Sequence, residues 1–316
     1  MKRLLRILFS FTFILTVFFA GAQQIPNSNQ YLINRYLLSP SYAGYMGESQ
    51  VFIGYRNDWS GFQDAPQTSL ISAYVPVSNK VWLGAQIIAD NAGIYNNIYA
   101  QFSYTYQLEL GFEQNLYFGL WASLFQNKIT LTDIVISDLN DPLLIGQSEL
   151  TGFSVNAGTS LVYKWRDGYI GVTMPYLFKN KDAYALNDMQ NIVELNTQII
   201  GHISYKFRLS YDISVEPLIV YRWVQNFASQ IDYSILTYYH ENYWIGLTYR
   251  DIGKSGVSIG SQLTKNLIFN YTYEFVTKAF MANPSSTHEF TLGFNLPIKA
   301  EKRSLWRKNI NNRRNQ

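Results

Sequence analysis

Apolar and polar residues alternate along most of this chain with a period of two. That is the signature of strands with one apolar and one polar face. In residues 98–110, Ile98, Ala100, Phe102, Tyr104, Tyr106, Leu108 and Leu110 share one face, with Gln101, Ser103, Thr105, Gln107 and Glu109 between them. Leu267, Phe269, Tyr271, Tyr273 and Phe275 alternate with Asn270, Thr272 and Glu274, and residues 153–163 and 290–296 repeat the pattern. Such runs exceed the ~5–6 residues of a mean globular strand and reach the ~9–11 that a tilted membrane-spanning strand needs. Fourteen strands are predicted, starting near Gln50, Ser69, Val81, Ile98, Leu116, Gly152, Tyr169, Val193, Tyr211, Ser229, Tyr243, Gly256, Leu267 and Thr287.

The connections alternate in length. Short ones fall near residues 78–80, 111–115, 166–168, 210, 241–242 and 265–266. Longer ones fall at 56–67, 90–97, 126–150, 177–192 and 277–286, with modest ones near Asn226 and Gly253. This predicts an all-β fold, a transmembrane antiparallel β-barrel of about 14 strands, with short periplasmic turns and long outer loops. An even strand count puts both ends of the barrel chain on the periplasmic side. Aromatics beside the short turns (Tyr74, Trp82, Tyr106, Tyr117, Tyr163, Trp165, Tyr169, Tyr239, Tyr243, Trp244) match an interfacial girdle. Pro217 lies inside a predicted strand and lacks a ladder donor, so a bulge or a local break is expected there.

The two ends of the chain differ from its body. Lys2, Arg3 and Arg6, an apolar stretch over 4–19 and Ala20-Gly21-Ala22 form a secretory signal peptide, residues 1–22, cleaved near Ala22. Residues 23–46 do not alternate and form an N-terminal periplasmic or lumen segment ahead of a barrel over 47–298. Residues 299–316 are a basic periplasmic tail with Trp306 as its one aromatic. The formal charge of +3 arises at these ends; residues 23–298 carry 15 basic and 21 acidic side chains, a net of −6. So acidic a body is not a nucleic-acid binder. Only 15% of the 316 residues are charged, 16% are aromatic, and there is no cysteine. That excludes a disulfide scaffold, a thiolate metal site and a cysteine nucleophile. The expected location is the outer membrane, with its lipid as the first partner.

Several short motifs cluster before and within the first hairpin. They are Gln24-x-Pro26, Gln30-Tyr31, Asn34, Pro40-Ser41-Tyr42-Ala43-Gly44, Tyr55-Arg56-x-x-Trp59-x-Gly61-Phe62, Ala65-Pro66-x-Thr68 and Asp90-x-x-Gly93. In these residues the chain resembles the PorP/SprF family of outer-membrane proteins, found with the type IX secretion and gliding machinery of Bacteroidota. The family usually has Asn-Pro-Ala where this chain has Ser39-Pro40-Ser41, and often Gln where it has Asp58. The resemblance implies a role without chemistry. Family members belong to the core secretion apparatus or help deliver and hold secreted adhesins at the cell surface. The implied partners are a secreted adhesin with a C-terminal sorting domain, or the periplasmic type IX ring proteins. Arg56 and Trp59 at the outer end of the first hairpin predict a folded loop shaped by Gly61 and Pro66, with Arg56 stacked on an aromatic face. That loop either meets a partner or only closes the barrel mouth. The N-terminal segment either enters the lumen or pairs with periplasmic proteins, and Pro40 and Gly44 fix a turn into the first strand.

Candidate chemistry is sparse, and neither an enzyme nor a cofactor is expected. His202, His240 and His288 are far apart in sequence. His202 and Ser204 share a strand face, but no third group completes a triad. Asp138-Leu139-Asn140-Asp141, with Asp133 and Glu149 nearby, lacks the full ligand set and glycine of an EF-hand loop and reads as a solvated acidic loop. The alternative function is a general diffusion porin, because the polar face is rich in Gln, Ser, Thr, Asn and Glu.

Overall fold

The computed structural model describes residues 28–45, 48–130, 149–178, 181–183, 190–277 and 286–296. The predicted signal peptide, Gln24, Pro26, the loop from Asp133 to Asp141 and the basic tail lie outside the described residues.

Fourteen wall strands follow one another as an antiparallel meander. They are β1 (Ser49–Ser60), β2 (Gln67–Ser78), β3 (Val81–Ala92), β4 (Tyr95–Gly111), β5 (Gln114–Thr130), β6 (Glu149–Trp165) and β7 (Gly168–Met174). The second half comprises β8 (Gln198–Tyr205), β9 (Ile213–Val224), β10 (Gln230–Tyr239), β11 (Tyr243–Arg250), β12 (Lys254–Gln262), β13 (Leu267–Val276) and β14 (Ser286–Leu296). Pairing of β1 with β14, from Ser49 opposite Leu296 to Ser60 opposite Ser286, closes the barrel and leaves no open edge. Both ends of the barrel chain lie with the short turns, on the periplasmic side.

Alternation sorts the side chains into lipid and lumen faces. Phe102, Leu120, Leu124, Phe153, Val155, Ile235, Ile245 and Leu247 are exposed on the outer wall. Ser103, Thr105, Ser123, Ser160, Ser234, Thr248, Ser258 and Thr272 are buried inside. This inverted pattern, apolar out and polar in, is what a bilayer selects.

The structure departs from the sequence reading in three places, and at Pro217 it takes the local break, one of the two expected outcomes. β8 starts at Gln198 instead of near Val193; Gln190–Glu194 pairs with Lys181–Ala183 in a separate ribbon, and Leu195 turns inward to complete burial. The run from Ile192 carries the same alternation as a wall strand, so period alone could not separate the two. The long connection predicted over 90–97 is a tight turn, because the β3–β4 ladder runs out to Ala92 opposite Tyr95 and Gly93 turns with φ 57°. At Pro217 there is a break and no bulge. The β8–β9 ladder stops at Ser204 opposite Leu218 and resumes in the same register at Phe207 opposite Val215, while β9–β10 runs unbroken. The missing donor thus falls on the β8 side, where the Ser204 hydroxyl donates to the Pro217 carbonyl at 2.8 Å. The girdle, finally, is only half a girdle. Tyr106, Trp165, Tyr239 and Tyr243 face outward, but Tyr74, Trp82, Tyr117, Tyr169 and Trp244 are buried in the lumen.

Candidate functional site: the filled lumen and its two ends

Those inward aromatics grip a segment of the chain itself. Residues 28–45 run down inside the barrel through three short 3-10 turns, Gln30–Leu32, Arg35–Leu37 and Pro40–Gly44. Their sequence has no strand alternation, and Pro40 opens the last turn with its fixed φ. Asn29, Gln30, Tyr31, Leu32, Asn34, Tyr36, Leu38 and all of residues 39–44 are buried. The segment starts at Ser28 and Asn29 beside the outer thirds of β13 and β14, and ends at Tyr45 near the periplasmic ends of β6 and β7.

The wall anchors this plug at successive heights. Asn29 Nδ2 donates to Glu274 and Glu289, both at 2.9 Å, and the Asn29 N–H also meets Glu289 at 2.8 Å. The Tyr31 hydroxyl donates to Asp232 at 3.1 Å, and Asn34 Nδ2 to Ser72 at 2.8 Å. Tyr36 and Ser103 share a hydroxyl pair at 2.7 Å, as do Ser41 and Ser160. Thr105 caps the Pro40 carbonyl at 2.8 Å. Each bond to a neutral partner contributes roughly 1 kcal/mol net, and those to carboxylates more.

Wall glycines make room, Gly84 and Gly119 among them. A Cβ at Gly84 would meet the Tyr36 hydroxyl at 2.6 Å, and one at Gly119 would meet Ser41 Oγ at 2.8 Å. Gly84→Val is therefore expected to break the Tyr36–Ser103 pair and destabilise the plug by about 1–3 kcal/mol, the usual range for overpacking. Hydrogen exchange at residues 34–38 checks this: faster exchange there with an intact barrel is the expected result.

At the outer end, four cations, Arg56, Arg222, Arg250 and Lys254, interleave with four carboxylates, Asp58, Asp232, Glu274 and Glu289. Arg56 bridges Asp58 at 2.5 Å, Glu274 at 3.1 Å and Glu289. Arg250 joins Glu274 at 2.6 Å to Asp232 at 3.5 Å, and Arg222 also pairs with Asp232. Lys254 reaches Glu274 at 3.3 Å. Asn29 of the plug sits within this network, with its Oδ1 2.8 Å from Arg250 Nη2. Inward-folded Tyr176 and Leu195 pack with Leu70, Ile88, Tyr99 and Phe125 into a second occluding cluster.

The β1–β2 turn stands above this network. Asp58 N–H donates to the Pro66 carbonyl at 2.9 Å, and Phe62 N–H to the Trp59 carbonyl at 3.1 Å. Trp59 takes φ 49° and Gly61 φ 104°, and the rings of Trp59 and Phe62 are about half exposed. At the periplasmic end, Glu216 accepts from Arg35 and Tyr238 at 2.9 Å, from Ser204 at 2.8 Å and from Tyr169. Below it, partial burial pushes Glu241 up, but hydrogen bonds from Lys206 and Ser214 outweigh that and hold it below the ordinary carboxylate range.

Residues 20–294 match the protein family described as Type IX secretion system membrane protein PorP/SprF. The chain belongs to the PorP/SprF family. A comparison with curated proteins gave no significant match. Among solved structures, the CymD monoaromatic hydrocarbon channel is similar at TM-score 0.55 and 10% identity, over 86% of this chain and 94% of that one. The Ralstonia pickettii toluene transporter TbuX aligns at TM-score 0.49 and 10% identity, over 78% and 88%. A Pseudomonas aeruginosa FadL homologue aligns at 0.48 and 9%, over 87% and 96%. At 10% identity, the similarity to CymD speaks to the barrel fold alone.

The motif residues of this PorP/SprF chain divide between the lumen and the outer turn. Gln30, Tyr31, Asn34, Pro40 and Gly44 all lie in the plug. Gln30 packs its amide against Gly54 of β1, and Gly44 lies where a Cβ would meet Tyr117 at 2.9 Å. Trp59, Gly61, Phe62 and Pro66 lie in or beside the outer turn, and Tyr55 faces outward from β1. Arg56 is the correction. Among the described residues it stacks on no aromatic ring, and it lies in a strand instead of a loop; alternation along β1 sends Phe52, Gly54 and Arg56 inward, where three carboxylates enclose the guanidinium. His202 packs on Tyr42 with ring centroids 5.3 Å apart, while the Ser204 hydroxyl goes to Glu216 and Pro217, so the two do not pair. Glu149 pairs with Lys128 at 2.6 Å. The network partners of Asn29 escaped sequence reasoning, although one signal was available: Asp232, Arg250, Glu274 and Glu289 all occupy inward positions where a bilayer strand needs no charge.

Proposed function

We propose that this barrel is a docking station of the type IX secretion and gliding apparatus. It holds a secreted surface protein at its outer face or contacts the periplasmic secretion complex at its inner one. The observation that carries this reading is the lumen itself. Residues 28–45 fill it and are bonded to the wall from the outer to the periplasmic third, so the barrel is built as a rigid body with two ends. A diffusion porin needs an open lumen, which this packing opposes.

The outer end offers a surface suited to protein. Trp59 and Phe62 project from a backbone fixed by two hydrogen bonds, so binding would cost little ordering entropy. A partner adhesin with a C-terminal sorting domain is the expected occupant. Deleting the gene should remove particular adhesins from the surface or block their export, read by surface and secreted proteomes. Unchanged proteomes would refute the docking role. Trp59→Ala with Phe62→Ala should release the surface protein while leaving the barrel's heat-dependent gel mobility unaltered; retention by this variant would place the contact elsewhere. Loss of two interface aromatics commonly costs 2 kcal/mol or more, roughly 30-fold in affinity.

A further inference from the structure

The periplasmic end of the lumen holds a cavity of about 300 Å³. Plug residues Arg35, Tyr42 and Tyr45 face wall residues Tyr74, Tyr169, Tyr238 and Trp244 across it, and Lys206, Glu241 and Gln262 form its rim near the periplasmic turns. Its hydrogen-bonding balance is lopsided. Glu216 is saturated by Arg35, Tyr169, Ser204 and Tyr238. Two donors beside it are unspent. The Arg35 side chain is nine-tenths buried; its Nη2 meets Glu216, but its Nη1 has no hydrogen-bond partner among the described residues. The Tyr42 hydroxyl, in a residue only 1% exposed, has none either. Two lysines stand over the rings: Lys206, which is also paired with Glu241, lies 3.8 Å over Tyr238, and Lys164 lies 4.5 Å over Tyr45.

We propose that this cavity binds the carboxylate end of a periplasmic peptide. The carboxylate accepts from Arg35 Nη1 and the Tyr42 hydroxyl, and the terminal side chain lies among the tyrosine rings. Buried unspent donors call for an acceptor, and a charged acceptor makes the stronger bonds. A planar carboxylate uses two donors with its two oxygens, whereas a phosphate would turn a further charged oxygen toward Glu216. The ring lining selects a group that brings apolar surface with it. The volume is about twice the ~150 Å³ cavity that holds benzene, enough for one side chain and its carboxylate but not for a folded domain. The same chemistry is offered by the C-terminus of a periplasmic protein and by the stem peptides of the cell wall. The proposal extends the periplasmic half of the docking reading.

The test is calorimetric titration of the purified full-length barrel with three probes: an alanine pentapeptide ending in leucine, its C-terminal amide, and the muramyl tetrapeptide from digested sacculi. The free acid should bind, and the amide at least tenfold more weakly. Tyr42→Phe removes only a hydroxyl with no hydrogen-bond partner among the described residues, so it should weaken acid binding about tenfold and leave thermal unfolding of the barrel unchanged. Arg35→Lys keeps the charge opposite Glu216 and should weaken binding similarly. Equal binding of acid and amide, indifference to Tyr42→Phe, or no binding of either acid at millimolar concentration would overturn the proposal. Preference for the muramyl peptide would assign the cell wall as the source, and preference for the leucine peptide a polypeptide terminus. Because these probes involve no surface protein, failure here leaves the deletion phenotype as a separate test of docking.

Discussion

Excision of residues 28–45 is expected to turn a barrel that passes no steady current into one with stable open conductance in planar bilayers. The wall closes through its own ladder between β1 and β14, so the plug is not needed to complete the sheet. What remains is a lumen of fourteen strands lined by Ser, Thr, Asn and Gln side chains together with the outer charged network and inward rings such as Tyr74, Trp82 and Trp244. Eight strands enclose only enough space for side chains and sixteen leave an aqueous channel, so fourteen should conduct once emptied. The groups that lose the plug can be rehydrated. Glu289 and Glu274 exchange the Asn29 donors for water while keeping their arginines, and Ser72, Ser103 and Ser160 simply solvate. Heat-dependent gel mobility would verify that the shortened barrel still folds. If the folded variant stays silent, Tyr176 and Leu195 close the lumen by themselves. If the intact protein already conducts steadily, the plug does not seat in the membrane as it does here, and the porin reading gains the ground that docking loses.

The wall was legible because a bilayer enforces a simple rule on every strand. One face must suit lipid and the other must not, so period two survives even in β5 and β6, and thirteen strand starts fall within a few residues of expectation. The exception near Val193 arose where the chain leaves the wall for a short ribbon without leaving the pattern. The direction of each face was less legible. Tyr74 and Trp244 sit at strand ends as girdle residues do, and only a partner inside the lumen explains why they point inward. The sequence left the N-terminal segment open between lumen and periplasm because its contacts are long-range: Asn29 meets Glu289 across 260 positions, and no local spacing encodes that. The same holds for Arg56. Its place beside Tyr55 and Trp59 in sequence suggested a shared loop, whereas neighbouring residues on a strand point to opposite faces.

Replacing Arg56 by Met is expected to destabilise the barrel by about 3–5 kcal/mol, the usual cost of leaving a buried charge uncompensated. The guanidinium is 3% exposed and serves Asp58, Glu274 and Glu289 at once. Glu274 retains Arg250 and Lys254 when Arg56 is lost. Among the described residues Glu289 retains only Asn29 and Ser28, neither of them charged. The damage should therefore concentrate at Glu289 and spread to the plug through Asn29, loosening residues 28–31 first. Urea titration followed by heat-modifiable gel mobility would read the stability loss, and hydrogen exchange at the plug would read its route. Arg56→Lys should cost less, because the charge survives although the planar fork that spans three carboxylates does not. Arg56→Met combined with Glu289→Gln should recover most of the loss, since the orphaned charge is then removed with its partner. A double variant no more stable than Arg56→Met alone would mean that Arg56 acts by packing against β13 and β14, and that the eight charges at the outer end are not an energetically coupled network.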